Sequence, residues 1–312
     1  MLAEVLPLRH ASRELVRELG FLQDKDAATS VSHSHCHALI EIEARTTVPQ
    51  AELPALLRLD KSTASRLVSD LVARGWLRAR PSKDDARARD LTLTAAGRAQ
   101  VKVVHREANA RVEQALGTLG EEERQVVLRG MELYARALER SRRASLYTIR
   151  PIRAGDRAAV ARLIRTVMPE FGAKGPGFAI MDPEVDDMFG AYQGSRAAYL
   201  VVIRPAGRAG EEVVVGGCGF AQLVGGEPGT CELRKMYFLP EVRGLGVGSA
   251  LLAQCLARSR KAGFERMYLE TLTAMSQARA LYERSGFRRI EGPLGATGHF
   301  GCNHFYMREL RT

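Results

Sequence analysis

Apolar positions along the chain follow helical spacing in the first half and give way to short alternating runs in the second. The opening stretch MLAEVLPLRHASRELVREL is an amphipathic helical pattern. It has no basic leader followed by an unbroken apolar stretch, so a secretion signal is not expected. QAELPALLRL reads as a short amphipathic helix joined by a tight turn to a second, DKSTASRLVSDLVARGW, Asp60 to Trp76. In that second helix Ala64, Leu67, Val68, Leu71 and Val72 form one apolar stripe. Its other face presents Lys61, Ser62, Thr63, Ser65, Arg66 and Ser69. Asp60 or Ser62 can cap its start, and Gly75 suits the position after its end. Pro54 lies in the preceding helix, where a missing backbone donor is expected to kink or shorten it. WLRAR and DLTLT then alternate as two strands around PSKDDARAR, a turn decorated by Arg80, Lys83, Arg87 and Arg89. EEERQVVLRGMELYARALERSRRAS, Glu121 to Ser145, is one helix with an acidic first turn and a basic last turn, as the helix dipole favours.

After Ser145 the pattern changes. LYTIRPI has strand character and RAGDRAAVARLIRTVM helical spacing, and strands and helices alternate from there on. The expected organisation is therefore a mainly helical domain over residues 1–145 and an α/β domain over 146–312. PAGRAGEE, Pro205 to Glu212, reads as a hairpin loop inside the second domain.

A length of 312 residues suits two domains. No apolar run approaches a membrane span. Five scattered cysteines make no disulfide framework, and a reducing cytosol is the expected compartment. The net charge of +10 suggests a polyanionic partner. Lys and Arg exceed Asp and Glu both before and after Ser145, so total charge does not say which half meets that partner.

Local pattern does. Two helices at helix-turn-helix spacing, the second faced with short polar side chains, suit a DNA major groove, and a basic ribbon tip beside them suits the minor groove. DKSTASRLVSDLVARGWL, the wing's Asp85-Ala86-Arg87, and LTLTAAG at Leu91 to Gly97 resemble the MarR family of winged helix-turn-helix regulators over roughly the first 145 residues. The resemblance implies a homodimer built on the N-terminal and Glu121–Ser145 helices, bound to a pseudo-palindromic double-stranded operator. It implies DNA contacts by Lys61, Ser62, Thr63, Ser65, Arg66, Arg87 and Arg89, with Asp85 supporting the wing tip. The run His33, His35, Cys36 and His37 suggests a metal or redox sensor. Adjacent helical positions point apart, however, and a helix started by Ser32 or Ser34 with Cys36, Leu39 and Ile40 packed inward is the simpler expectation.

In the second half the strand CELRKMYFLP leads into VRGLGVG and the helix SALLAQCLARSRKAG. This is not the G-x-G-x-x-G order of a dinucleotide fingerprint, and it follows three expected strands instead of the first. The Arg243-Gly244-x-Gly246-x-Gly248 loop and LYERSGF at Leu281 to Phe287 resemble the GNAT superfamily of acetyl-CoA-dependent N-acetyltransferases over about Tyr147 to Leu310. The implied fold is a mixed central sheet flanked by helices. Phe238 would pair through its backbone with the pantetheine arm, and Arg243, Gly244, Leu245, Gly246, Val247, Gly248 and Ser249 would hold the diphosphate at a helix N-terminus. Tyr282 matches the residue that in many relatives is the general acid. Glu232 matches a frequent base, or is a surface carboxylate paired with Arg234 or Lys235. Ser276 or Gln277 stands where relatives often have an asparagine. His299, Cys302 and His304 lie close together without an obvious fourth zinc ligand, so no metal is expected and a last hairpin lining the acceptor pocket is. The acceptor implied is a small amine or amino acid. A regulator whose GNAT domain senses acetyl-CoA or a metabolite without turnover is the alternative, and an enzyme whose winged helix only dimerises is a third reading.

Overall fold

The computed structural model describes residues 2–22, 32–82, 85, 87–206 and 210–310. The chain divides into two compact units, Met1–Val127 and Leu128–Thr312. The first contains α1 (Val5–Glu18), α2 (His33–Arg45), β1 (Val48–Pro49), α3 (Leu53–Leu57), α4 (Lys61–Ala73), β2 (Leu77–Pro81), β3 (Arg89–Leu93) and α5 (Ala95–Leu116), and α6 (Glu121–Ala144) begins in it. The second continues with β4 (Thr148–Pro151), α7 (Arg157–Val167), α8 (Met188–Ala191), β5 (Ala198–Pro205), β6 (Glu212–Gln222), β7 (Thr230–Phe238), α9 (Val247–Lys261), β8 (Arg266–Thr271), α10 (Ser276–Arg284), β9 (Arg288–Ile290) and β10 (His304–Glu309).

In the first unit α4 starts where the Asp60 carboxylate accepts the Thr63 N–H at 2.8 Å. It ends in a left-handed Gly75 (φ 72°), with Trp76 N–H returning to the Leu71 carbonyl at 3.0 Å. Ala64, Leu67, Val68 and Leu71 are buried as the stripe requires, and Leu67, Val68 and Leu71 pack with Leu39, Ile42, Leu53 and Leu91. Val72 departs from the expectation and is 39% exposed, at the rim of the stripe. Pro54 sits in the first turn of the five-residue α3, where no donor is lost, so it opens the helix and does not kink it. The hairpin β2–β3 forms as expected, and β1 joins it to give the antiparallel order β1-β3-β2, a third strand that the sequence pattern missed. LTLTAAG has a local reason. Thr94 caps α5 by accepting the Gly97 N–H at 3.0 Å and donates to the Gly75 carbonyl at 2.6 Å. A Cβ on Gly97 would lie 2.1 Å from the Trp76 carbonyl oxygen.

The second unit is a seven-stranded mixed sheet, β4-β5-β6-β7-β8-β10-β9. Alternation sends Leu200 and Val202 of β5 to one face, with α9, and Tyr199, Val201 and Ile203 to the other, with α7. Neighbours are antiparallel except β7 and β8, which pair in parallel only over Thr230–Glu232. Beyond that point β7 carries a bulge. Between the pairs Gly217–Tyr237 and Gly219–Arg234, two β7 residues oppose one on β6. One of them, Lys235, has φ 51°. The extra residue bends β7, and the two central strands part at their C-terminal ends.

Candidate functional site

The parted strands open onto a cavity of about 1010 Å³ bordered by Met236 and Phe238 of β7, the loop Arg243–Gly246, the start of α9 and Ser276 and Gln277 of α10. Gly244 (φ 75°) and Gly246 (φ 86°) are left-handed, which lets the loop turn directly into α9 with Gly246 as its N-cap. The first-turn N–H groups of a helix have no acceptor within it, so this end of α9 is electropositive. Leu239 N–H bonds to Val215 on the β6 side, and strand alternation turns the Phe238 peptide toward the opening. There its carbonyl accepts from Arg243 Nε at 2.8 Å. Arg243 Nη1 reaches Glu170 at 2.8 Å, while its Nη2 is buried with no hydrogen-bond partner among the described residues. A free guanidinium nitrogen, left-handed glycines and a helix start around one cavity fit a diphosphate-bearing cosubstrate such as acetyl-CoA. Of the loop residues, Gly244, Leu245, Gly246, Gly248 and Ser249 border the cavity, whereas the Val247 side chain lies in the core and only its backbone can serve.

A smaller cavity, about 50 Å³, shares Met236, Tyr237 and Met275 with the first and is bordered by Glu232, Glu270, Tyr282, His299 and Cys302. Tyr282 packs edge-on against Phe287, ring centres 5.9 Å apart, and burial raises its phenol far above the ordinary tyrosine range. It therefore keeps its proton at neutral pH. Glu232 is buried, with Oε2 2.6 Å from Arg234 Nε; the pairing expected at a surface occurs in the interior. His299 lies on the β9–β10 loop with Nε2 3.0 Å from Asp182 Oδ2. Burial disfavours its charged form, but Asp182 and then Glu232 outweigh burial and raise its pKa. Burial pushes the Cys302 thiol up to about 12. His304 points elsewhere, to Thr273 Oγ1 at 3.0 Å. Asp182 and Glu184 are cluster members that the sequence reading did not single out, and it gave Glu270 no part in an acetyltransfer site. A run of 3₁₀ turns from Ala179 to Asp187 brings the first two in and carries no periodic signal.

In the first unit Lys61, Ser62, Ser65 and Arg66 are exposed on one side of α4, with Thr63 partly so. The hydroxyls of Ser62 and Thr63 donate to Asp60 at 2.6 and 2.7 Å, which fixes both side chains at the helix start. Arg87 and Arg89 are exposed on the hairpin, and Asp85 accepts the Arg87 backbone N–H at 2.9 Å. Asp85 thus supports the tip through the peptide and leaves the guanidinium free of that bond. Lys83 lies outside the described residues. The histidine run does not converge. His33 Nε2 meets the Gly20 carbonyl at 3.0 Å, His35 Nε2 stands 3.1 Å from Asp70 but off the line of a hydrogen bond, and Cys36 is buried. Among the described residues no group of three His, Cys, Asp or Glu is arranged to hold a metal ion.

Comparison with known proteins agrees with both halves. The GNAT acetyltransferase family matches residues 165–287, and the MarR family matches 29–88. The uncharacterized N-acetyltransferase YjgM of Escherichia coli K12 is 42% identical over 156 residues, 50% of this chain and 90% of that protein. A GNAT-family acetyltransferase structure from Staphylococcus aureus Mu50 aligns with 53% of this chain and 99% of its own, at 21% identity and a TM-score of 0.47. Bordetella bronchiseptica BpsR, whose DNA binding is regulated by 6-hydroxynicotinic acid, aligns with 41% of this chain and 98% of its own, at 19% identity and a TM-score of 0.36. The fold and site define an N-acetyltransferase domain joined to a winged helix-turn-helix. The chain belongs to the GNAT acetyltransferase family and carries a MarR-family domain ahead of that fold.

Proposed function

We propose that the chain is a bifunctional regulator: a MarR-type homodimer that binds a double-stranded operator, and an acetyl-CoA-dependent N-acetyltransferase for a small amine or amino acid. The carrying observation is that the glycine-loop cavity and the small cavity holding Tyr282 and Glu232 share three lining residues, so a cosubstrate site and a proton-transfer site adjoin. Acetyl-CoA, when bound, supplies the thioester carbonyl that the amine attacks. Arg243 and the residues through Ser249 would hold its diphosphate, and the Phe238 backbone its pantetheine arm. The buried Tyr282 hydroxyl would protonate the departing thiolate. The amine's proton would pass to the buried carboxylates beside it, among which Glu232 is the residue its strand position marks.

The division of labour falls near Ser145. Lys61, Ser62, Thr63, Ser65 and Arg66 on α4 would approach base edges and phosphates, with Arg87 and Arg89 on the wing. Dimerisation is supported by α1 and α6, which bury no residue of their own and expose Leu6, Leu15, Met131 and Leu138 among others. Five free cysteines suit a reducing cytosol. No described helix is long and apolar enough to cross a membrane.

Thiol release from acetyl-CoA across a panel of small amines and amino acids tests the enzyme reading. Turnover above the acetyl-CoA hydrolysis background supports it. Binding of acetyl-CoA without turnover of any amine would leave the sensor reading in its place.

A further inference from the structure

Four carboxylates converge behind the small cavity, and their partners distinguish them. Asp182 takes Lys235 Nζ at 2.7 Å and His299 Nε2 at 3.0 Å. Glu184 takes Lys235 Nζ and lies 3.3 Å from the Tyr192 hydroxyl. Glu232 Oε2 is held by Arg234. Glu270, on β8, accepts at Oε1 from the hydroxyls of Tyr268 at 2.8 Å and Thr297 at 2.9 Å. Its Oε2 has no hydrogen-bond partner among the described residues, although the side chain is only 3% exposed. His299 Nδ1, 3.7 Å away, is too far to bond it. A buried carboxylate oxygen without a donor is costly unless something visits it.

Resting on the acetyltransferase reading, we propose that Glu270 is the catalytic base: its Oε2 receives the ammonium of a small cationic amine and takes the proton that the amine loses.

Neighbouring candidates are less suited to this role. Glu232 already has a cation at 2.6 Å, Arg234 on its Oε2, and so has less charge to offer an incoming ammonium than Glu270, which is held at Oε1 by hydroxyls alone. The contact with Asp182 favours the charged form of His299, and that form has no lone pair to offer. Cys302 remains a thiol. Charge points the same way. Asp182, Glu184 and Glu232 pair with Lys235 and Arg234, and Glu270 pairs with neither; even with His299 protonated the four carboxylates are one positive charge short, which an ammonium at Glu270 supplies. A cavity of about 50 Å³ admits the amino end of a substrate and no bulky group around it. The groups facing Glu270 are Tyr268 on its own strand, Glu232 on β7, and Thr297, His299 and Cys302 on the β9–β10 loop. Burial raises its carboxyl above the ordinary range and Glu232 adds to this, against the Tyr268 and Thr297 hydrogen bonds. That suits a base working closer to neutral pH.

The protons balance. An ammonium loses two on becoming an amide: one goes to Glu270 Oε2 and on to solvent, and the other replaces the proton that Tyr282 gives to the sulfur. The N–C bond forms as the C–S bond breaks.

The test is Glu270→Gln in the full-length protein, assayed by thiol release with small primary amines from ethylamine to amino-acid esters, the fastest used throughout. We expect kcat to fall about 100-fold or more, the acid limb of the kcat/KM pH profile to vanish, and the acetyl-CoA Kd by calorimetry to hold within about threefold. Glu270→Asp should keep the acid limb at reduced rate, and Glu232→Gln should keep it too. A Glu270→Gln protein that melts like wild type and keeps the acid limb, or more than a tenth of kcat, overturns the assignment alone. A wild type that turns over no amine sinks the acetyltransferase reading and this assignment together.

Discussion

Lys235 Nζ donates to Asp182 Oδ2 across 2.7 Å, from a side chain that is 1% exposed and a backbone held at φ 51°. The pair ties the bulge of β7 to the 3₁₀ turns that wall the small cavity. Lys235→Met would leave the Asp182 and Glu184 carboxylates short of a buried cation. It is expected to lower unfolding free energy by about 3 kcal/mol, read by urea titration. An unchanged midpoint would mean that the pair is incidental to the bulge.

The Asp182–His299 contact predicts a pH optimum of stability. Burial acts to raise the Asp182 carboxyl, but the His299 hydrogen bond and Lys235 outweigh it and hold it low. Its contribution is therefore complete above the ordinary aspartate pKa and is lost as pH falls through the lower folded value. His299 is raised, so its contribution is complete below the ordinary histidine pKa and is lost as pH rises through the higher folded value. The pair stabilises most between roughly pH 4 and 6.5. His299→Gln should erase the loss on the alkaline side, and urea midpoints compared from pH 6 to 9 measure it.

Backbone conformation, more than space, constrains the loop. At Gly246 a Cβ would meet nothing within 4 Å, yet φ 86° disfavours any L side chain. Gly246→Ala should cost about 1–2 kcal/mol and weaken acetyl-CoA binding about tenfold or more. At Gly248 the backbone is not left-handed and the nearest atom would lie at 3.5 Å, so Gly248→Ala should cost less. Calorimetric titration with acetyl-CoA ranks the two. Equal losses would contradict the conformational account.

Tyr282→Phe keeps the ring edge-on against Phe287 and removes only the hydroxyl. The expected result is a fall in kcat of about 100-fold with acetyl-CoA affinity and melting temperature unchanged. A full-rate variant would reduce Tyr282 to packing.

On the wing, Arg87→Ala should weaken operator binding about equally across sequences and reduce the slope of log K against log salt by about one. Arg66→Ala should instead alter base preference at some operator positions. Competition binding with randomised operators separates these effects, and a salt slope unmoved by Arg87→Ala would take the wing off the DNA.

Much of this was visible in the sequence because the signals are local. The stripe on α4, the β2–β3 hairpin and the glycine loop each lie within one short window. β1 did not show because two residues, Val48 and Pro49, are too few to alternate. Val72 misled because a stripe read at helical spacing does not show where burial stops. Glu270 stood at the end of an ordinary strand pattern. Its meaning depends on Thr297 and His299 arriving from a loop, and on Asp182 arriving from 117 residues before His299. No periodicity within one element encodes such a meeting.

The short parallel pairing of β7 with β8 has a mechanical consequence. Strands β4 to β7 and strands β8 to β10 are two antiparallel ribbons, closed within themselves and seamed by three register pairs. Among the described residues the chain crosses that seam through the segment carrying the glycine loop and α9. A ligand lodged in the gap would act as the missing rungs of a ladder, and amide exchange in Leu233–Phe238 and Glu270–Thr271 should slow most when it arrives.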